Sequence, residues 1–108
     1  MKRLISAICV LFFLLPLSAQ ETYQKETFIS SRGDTLQYRL LQPENMKKSE
    51  KYPLVLFLHG AGERGNDNER QLTHGGQMFL NPVNREKYPA FVLAPQCPDC
   101  LLYTSDAA

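Results

Sequence analysis

Two unbroken apolar runs constrain this chain more than any other feature: Pro53-Leu54-Val55-Leu56-Phe57-Leu58 and Ala90-Phe91-Val92-Leu93-Ala94. Neither alternates polar with apolar residues, which is the pattern of a strand buried on both faces in a sheet that helices cover. About 30 residues separate them, room for a helical crossover between parallel neighbours. The expected class is α/β. Upstream, Thr27-Phe28-Ile29-Ser30 favours extended backbone and Ser31-Arg32-Gly33-Asp34 supplies a turn. Thr35 to Gln42 then sets Leu36, Tyr38 and Leu40 against Gln37 and Arg39, the second arm of a hairpin with the leucine and tyrosine face buried; Pro43 closes it. Glu44 to Lys51 reads as a charged, solvated connector. Between the two runs, Asn68 with Gln71 three residues on predicts a capped short helix over Glu69 to Thr73, broken by Gly75-Gly76. Asn81-Pro82 predicts a second cap, with proline in the first helical position and a short helix through Val83 to Lys87.

The N-terminus has the form of an address. Met1-Lys2-Arg3 is a positive leader, Leu4 to Leu17 is apolar apart from Ser6 and Pro16, and Leu17-Ser18-Ala19 offers small residues for cleavage before Gln20. A run of about 14 residues is short for a hydrocarbon core of roughly 30 Å. Residues 1–19 are therefore expected to be a signal peptide, the mature chain to be exported to a periplasmic or extracellular space, and no stable membrane span to remain after cleavage. Residues 20–99 carry ten basic and ten acidic side chains. That balance leaves no surplus of positive charge to neutralise phosphates, which argues against nucleic acid as a partner. Of the 108 residues 44% are hydrophobic and 21% charged, ordinary values for a globular chain. The 80 residues from Gln20 to Asp99 are few for an α/β enzyme.

Chemistry is expected directly after the first apolar run, at His59-Gly60-Ala61-Gly62-Glu63-Arg64-Gly65-Asn66-Asp67. Ligands in open α/β sheets sit at the carboxyl ends of strands. Glycines at 60 and 62 are expected to turn the backbone with positive φ and to leave N–H groups uncovered. Such groups are preorganised donors for an anion, either a phosphate or the oxyanion of an acyl-transfer intermediate. The Gly-Lys-Ser/Thr ending of a phosphate loop is absent, and Gly60, Gly62 and Gly65 miss the G-x-G-x-x-G spacing. The oxyanion-hole reading fits better.

Tyr52-Pro53-Leu54-Val55-Leu56-Phe57-Leu58-His59-Gly60-Ala61-Gly62-Glu63-Arg64-Gly65 resembles the third strand and following loop of α/β-hydrolases. The likeness is closest to secreted esterases and predicted peptidases of the dienelactone-hydrolase and prolyl-oligopeptidase-like group, and Ala90-Phe91-Val92-Leu93-Ala94-Pro95-Gln96-Cys97-Pro98 is similar to their next strand. The resemblance covers about Phe28 to Asp99. It implies the N-terminal portion of an α/β-hydrolase sheet, a β-hairpin followed by two buried strands, and an incomplete domain. It further implies that the backbone N–H of Ala61, with Gly62 as second choice, helps hold the oxyanion, while His59 and Gly60 orient the loop. In this family one donor comes from such a loop and another from the residue after a serine nucleophile, and the triad runs Ser, Asp or Glu, then His. Ser30, Ser31, Ser49 and Ser105 lack the glycines of G-x-S-x-G, and His74 precedes any possible elbow. Nucleophile, acid and base are all missing from the 108 residues. The implied parent is an exported serine carboxylesterase or peptidase acting on small ester or peptide substrates, without cofactor or metal; the piece by itself is expected to be inert. Glu63, Arg64 and Asp67 are candidates either to contact substrate or, the favoured expectation, to steady the loop through an internal ion pair.

Two other readings remain open at this point. Cys97-Pro98-Asp99-Cys100 suits a small exported thiol-redox or binding module, which predicts a helix opening at the first cysteine. A metal-dependent hydrolase would have to use His59 and His74, yet no H-E-x-x-H is present. The last nine residues, Cys100-Leu101-Leu102-Tyr103-Thr104-Ser105-Asp106-Ala107-Ala108, resemble a conceptual translation of a transposase adapter used in sequencing libraries. Residues 100–108 are accordingly expected to be a non-native tail, and Cys100 an accident of assembly.

Overall fold

A computed structural model describes residues 22–99. The expected leader and the expected tail lie outside the described residues. Four strands form one mixed sheet in the spatial order β1-β2-β4-β3, with β1 at Gln24–Ile29, β2 at Thr35–Leu41, β3 at Leu54–Leu56 and β4 at Phe91–Pro95. β1 and β2 make the expected hairpin, pairing antiparallel from Gln24↔Leu40 to Ile29↔Thr35. Its turn holds because the Ser30 hydroxyl accepts from the N–H groups of Arg32 and Asp34, and Gly33 sits at φ 87°, where a side chain would be strained. β4 lies antiparallel to β2 and parallel to β3. The stretch between the two apolar runs is thus the crossover that their separation predicts. It contains one-turn 3-10 helices at Ala61–Glu63 and Arg70–Leu72, then α1 at Gly76–Leu80 and α2 at Pro82–Lys87.

The crossover covers one face of the sheet. Tyr23, Leu41 and Val92 are the buried centre, and Val55, Phe57, Leu72, Phe79 and Leu80 pack around them. Phe57 meets Phe79 edge to face with centroids 5.7 Å apart. Full burial of a side chain of this size contributes about 1.5–3 kcal/mol, of which these half-buried rings supply part. Gly75, at φ 106°, lets the chain turn into α1, and an added Cβ there would come within 3.0 Å of the Phe57 ring. Tyr23 donates its hydroxyl to the Gly76 carbonyl at 2.9 Å, and burial pushes its pKa up to about 12. Asn81 caps α2 as expected, accepting from the N–H groups of Val83 and Asn84 with Pro82 in the first turn.

Three expectations are corrected. β3 is not buried on both faces: it is an edge strand of three residues, and Leu54, Leu56 and Leu58 are 62%, 58% and 68% exposed. Burial of an apolar strand needs a neighbour, and among the described residues none lies beyond β3. The buried face of β2 is the opposite of the expected one. Arg39 and Leu41 face the crossover and are buried, whereas Leu36 is exposed on the other side. A guanidinium tolerates that burial because its donors are used: Nη1 reaches the Tyr23 carbonyl at 2.7 Å, Nε the Asn68 carbonyl, and Nη2 lies 3.7 Å from Glu69. Desolvation still pulls its pKa down, opposed by the charges of Glu69 and Asp67. Finally, Asn68 is not a helix cap. The Asp67 carboxylate accepts from the N–H groups of Glu69 and Arg70, while Asn68, buried at φ 54°, turns its amide to the Glu26 and Tyr38 carbonyls.

Candidate functional site

β3 and β4 run in the same direction, so the loop after β3 and the extension of β4 meet at one rim of the sheet. There Leu36, Leu58, His59, Gly60, Ala61 and Arg64 surround an open hollow of about 420 Å³ together with Pro95 to Pro98. Gly60 has φ −82° and ψ 177°, extended backbone, and the chain then enters the 3-10 turn at Ala61–Glu63. The positive φ expected at Gly60 and Gly62 is not found; the left-handed glycines are Gly33, Gly65 and Gly75. An added Cβ at Gly60 would stand 2.9 Å from Oε2 at the flexible end of Glu63, which a small shift of that side chain relieves, and at Gly62 it would meet nothing within 4 Å.

Among the described residues the turn leaves two donors uncommitted. Its hydrogen bond runs from Glu63 N–H to the Gly60 carbonyl at 3.2 Å. The first amides of a helical turn have no partner within it, so the N–H groups of Ala61 and Gly62 take no part in that bond. Both residues are exposed, and Ala61 lines the hollow.

His59 ties the start of this loop to the chain that follows β4. Its Nε2 lies 2.9 Å from the Cys97 backbone nitrogen, which can only donate, so Nε2 is the acceptor. The proton of the neutral ring is then on Nδ1, which donates to the Gly60 carbonyl at 2.6 Å. With both ring nitrogens engaged by backbone, the imidazole holds the loop against the chain that follows β4. The far end of the loop is tied to Cys97 and to its neighbour Gln96. Gly65 donates to the Cys97 carbonyl at 3.0 Å. The buried Gln96 side chain accepts from Asn68 N–H at 2.7 Å and donates to the Glu63 carbonyl at 3.2 Å and to Asp67 Oδ1 at 2.8 Å.

That Gln96 bond, with those from the Glu69 and Arg70 amides and the nearby Arg70 charge, holds the Asp67 carboxyl down at about 2. The expected ion pair among Glu63, Arg64 and Asp67 is replaced by others: Asp67 pairs with Arg70 at 3.5 Å, and Glu63 faces His74 at 3.5 Å. The sequence reading missed Gln96. Its signal would have been a polar residue directly after a buried strand, which by itself does not say what it binds.

Cys97 continues β4 and does not open a helix, and Cys100 lies outside the described residues. No cluster of three or more His, Cys, Asp or Glu residues suited to a metal occurs among the described residues. Nor is any described helix long and apolar enough to cross a membrane.

No known protein-family profile matches the chain, and no curated protein sequence matches it. Among solved structures it is similar to a thermostable esterase, with 43% sequence identity and a TM-score of 0.67 over 72% of this chain. The matched part is 22% of the esterase's own length, so this chain corresponds to less than a quarter of that structure.

Proposed function

We propose that this chain supplies the oxyanion-hole loop of an exported serine hydrolase, a carboxylesterase or peptidase of the dienelactone-hydrolase and prolyl-oligopeptidase-like group. Its substrates are small esters or peptides. The observation that carries the reading is the pair of uncommitted amides, Ala61 and Gly62, at the carboxyl end of a parallel strand. The similarity to a thermostable esterase supports it. As a serine attacks a carbonyl, the oxygen gains a full negative charge, and donors already in place stabilise it without reorganising. Ala61 is the first choice for that donor and Gly62 the second; His59 and Gly60 set their direction. Because the 108 residues contain no G-x-S-x-G, the nucleophile and its acid and base come from other sequence, and this chain alone turns over no ester. The thiol-redox reading is not favoured, since Cys97 lies in extended chain with its N–H engaged by His59.

The coding region beyond Asp99 provides the first test: an uninterrupted frame should show G-x-S-x-G within the next hundred residues or so, and its absence would defeat the proposal. In the uninterrupted protein, Ala61→Pro removes a single donor. Proline suits the first position of a helical turn, and the extended Gly60 suits the residue before proline. The expected result is a fall in kcat of about 100- to 1000-fold with KM little changed. An undiminished kcat would assign the oxyanion to other donors.

A further inference from the structure

We propose that Gln96 is a positioning residue for the oxyanion-hole loop: by gripping the Glu63 carbonyl it fixes the direction in which the Ala61 and Gly62 amides point. The inference rests on the function proposed above and adds to it a side chain that acts through the backbone. The 3-10 turn at Ala61–Glu63 is held from both ends. At its start the Gly60 carbonyl accepts from His59 Nδ1 at 2.6 Å and from Glu63 N–H at 3.2 Å. At its end the Glu63 carbonyl accepts from Gln96 Nε2 at 3.2 Å. A peptide plane cannot rotate without carrying its carbonyl along, so these bonds limit the swing of the amides between them.

Three bonds converge on the Gln96 side chain, and their polarity selects a carboxamide. Asn68 N–H can only donate, and it finds Oε1 at 2.7 Å. The Glu63 carbonyl and the Asp67 carboxylate need donors, and Nε2 serves them at 3.2 and 2.8 Å. A carboxylate offers no donor, an ammonium no acceptor, and asparagine falls a methylene short. Gln96 is 2% exposed, so water does not stand in for a bond that is lost. Gln71 makes the contrast: it is equally buried, yet its Oε1 has no partner among the described residues. Through Asp67, which also accepts from the Glu69 and Arg70 amides, the same grip joins the oxyanion turn to the next 3-10 helix.

Gln96→Glu keeps the shape and the acceptor but removes both donors while its carboxyl is ionised. Buried beside Asp67, that carboxyl has a raised pKa, and once protonated it donates again. Asp67, with its pKa at about 2, stays ionised throughout. The other charged or titratable groups nearby are Arg70 beside Asp67, Arg39 and Glu69 beside Asn68, and His59 beside Cys97. They are common to variant and parent, so a ratio of rates cancels them. In the uninterrupted protein, kcat for p-nitrophenyl acetate should fall by about tenfold or more relative to the parent at about pH 9, with KM little changed. The ratio should recover toward about pH 6, whereas Gln96→Met, which donates at no pH, should stay low and flat. In the isotope-labelled 108-residue chain, Gln96→Met should move or broaden the amide NMR signals of Ala61 and Gly62 and leave those of Val83 and Asn84 in α2 in place. A flat ratio for Gln96→Glu, or unmoved Ala61 and Gly62 signals, overturns the proposal. Moved signals together with an uninterrupted protein that hydrolyses no ester support the grip on the turn and sink only the hydrolase reading. Loss of the folded circular dichroism spectrum in both variants also overturns the proposal, because Gln96 then supports the whole fold and not one turn.

Discussion

Asp67 shows how a single carboxylate can hold a loop. Its oxygen receives the Gln96 amide and two backbone N–H groups, all of which favour the ionised form, and its pKa stands near 2 against an ordinary 3.8. The sign follows from linkage: a group with a depressed folded pKa contributes stability in full above its unfolded value and loses it as pH falls toward the folded value. Thermal melts followed by circular dichroism between about pH 5 and pH 2 should therefore show a falling Tm. In Asp67→Asn the fall should be shallower; parallel curves would mean the carboxylate is not what titrates. The glycine-rich loop itself was legible, because G-x-G after an apolar run is a local pattern. The role of Asp67 was not, because the donor that matters most lies 29 residues away, just past β4.

At the scale of elements, legibility follows the range of the forces involved. α2 was readable to within a residue, since Asn81 and Pro82 act on their immediate neighbours. Asn81→Ala should cost about 1 kcal/mol and Asn81→Ser much less, measurable by urea unfolding. Equal costs would show that the cap bonds contribute nothing. The hairpin was readable for the same reason, through its turn. Which face of β2 is buried was not. Alternation marks two faces but does not say which one will be covered, and here the choice is set by carbonyls of Tyr23 and Asn68 that satisfy Arg39. The α1 segment was missed because Gly75-Gly76 signals only a break, while its helix depends on Phe79 packing against Phe57.

For the whole molecule, the sheet is covered on one side and largely open on the other. An apolar run of six residues announced full burial, and the structure instead exposes its three leucines. Such a surface associates in water. The Leu54→Lys plus Leu58→Lys variant should raise the concentration at which the chain stays monomeric in light scattering without lowering Tm. A lower Tm would mean these leucines support the described fold after all. The covered side retains Tyr23, Leu41 and Val92 as its centre and does not depend on them.

The loop after β3 is fastened at both ends to one short stretch, Gln96-Cys97, with the Glu63 carbonyl held by Gln96 between them. A tether of this kind separates rigidity from composition. Exposed Ala61 and Gly62 can be exchanged by mutation without loosening the fastenings at Gln96 and Cys97, so the path of the loop depends on those two residues and little on its exposed turn.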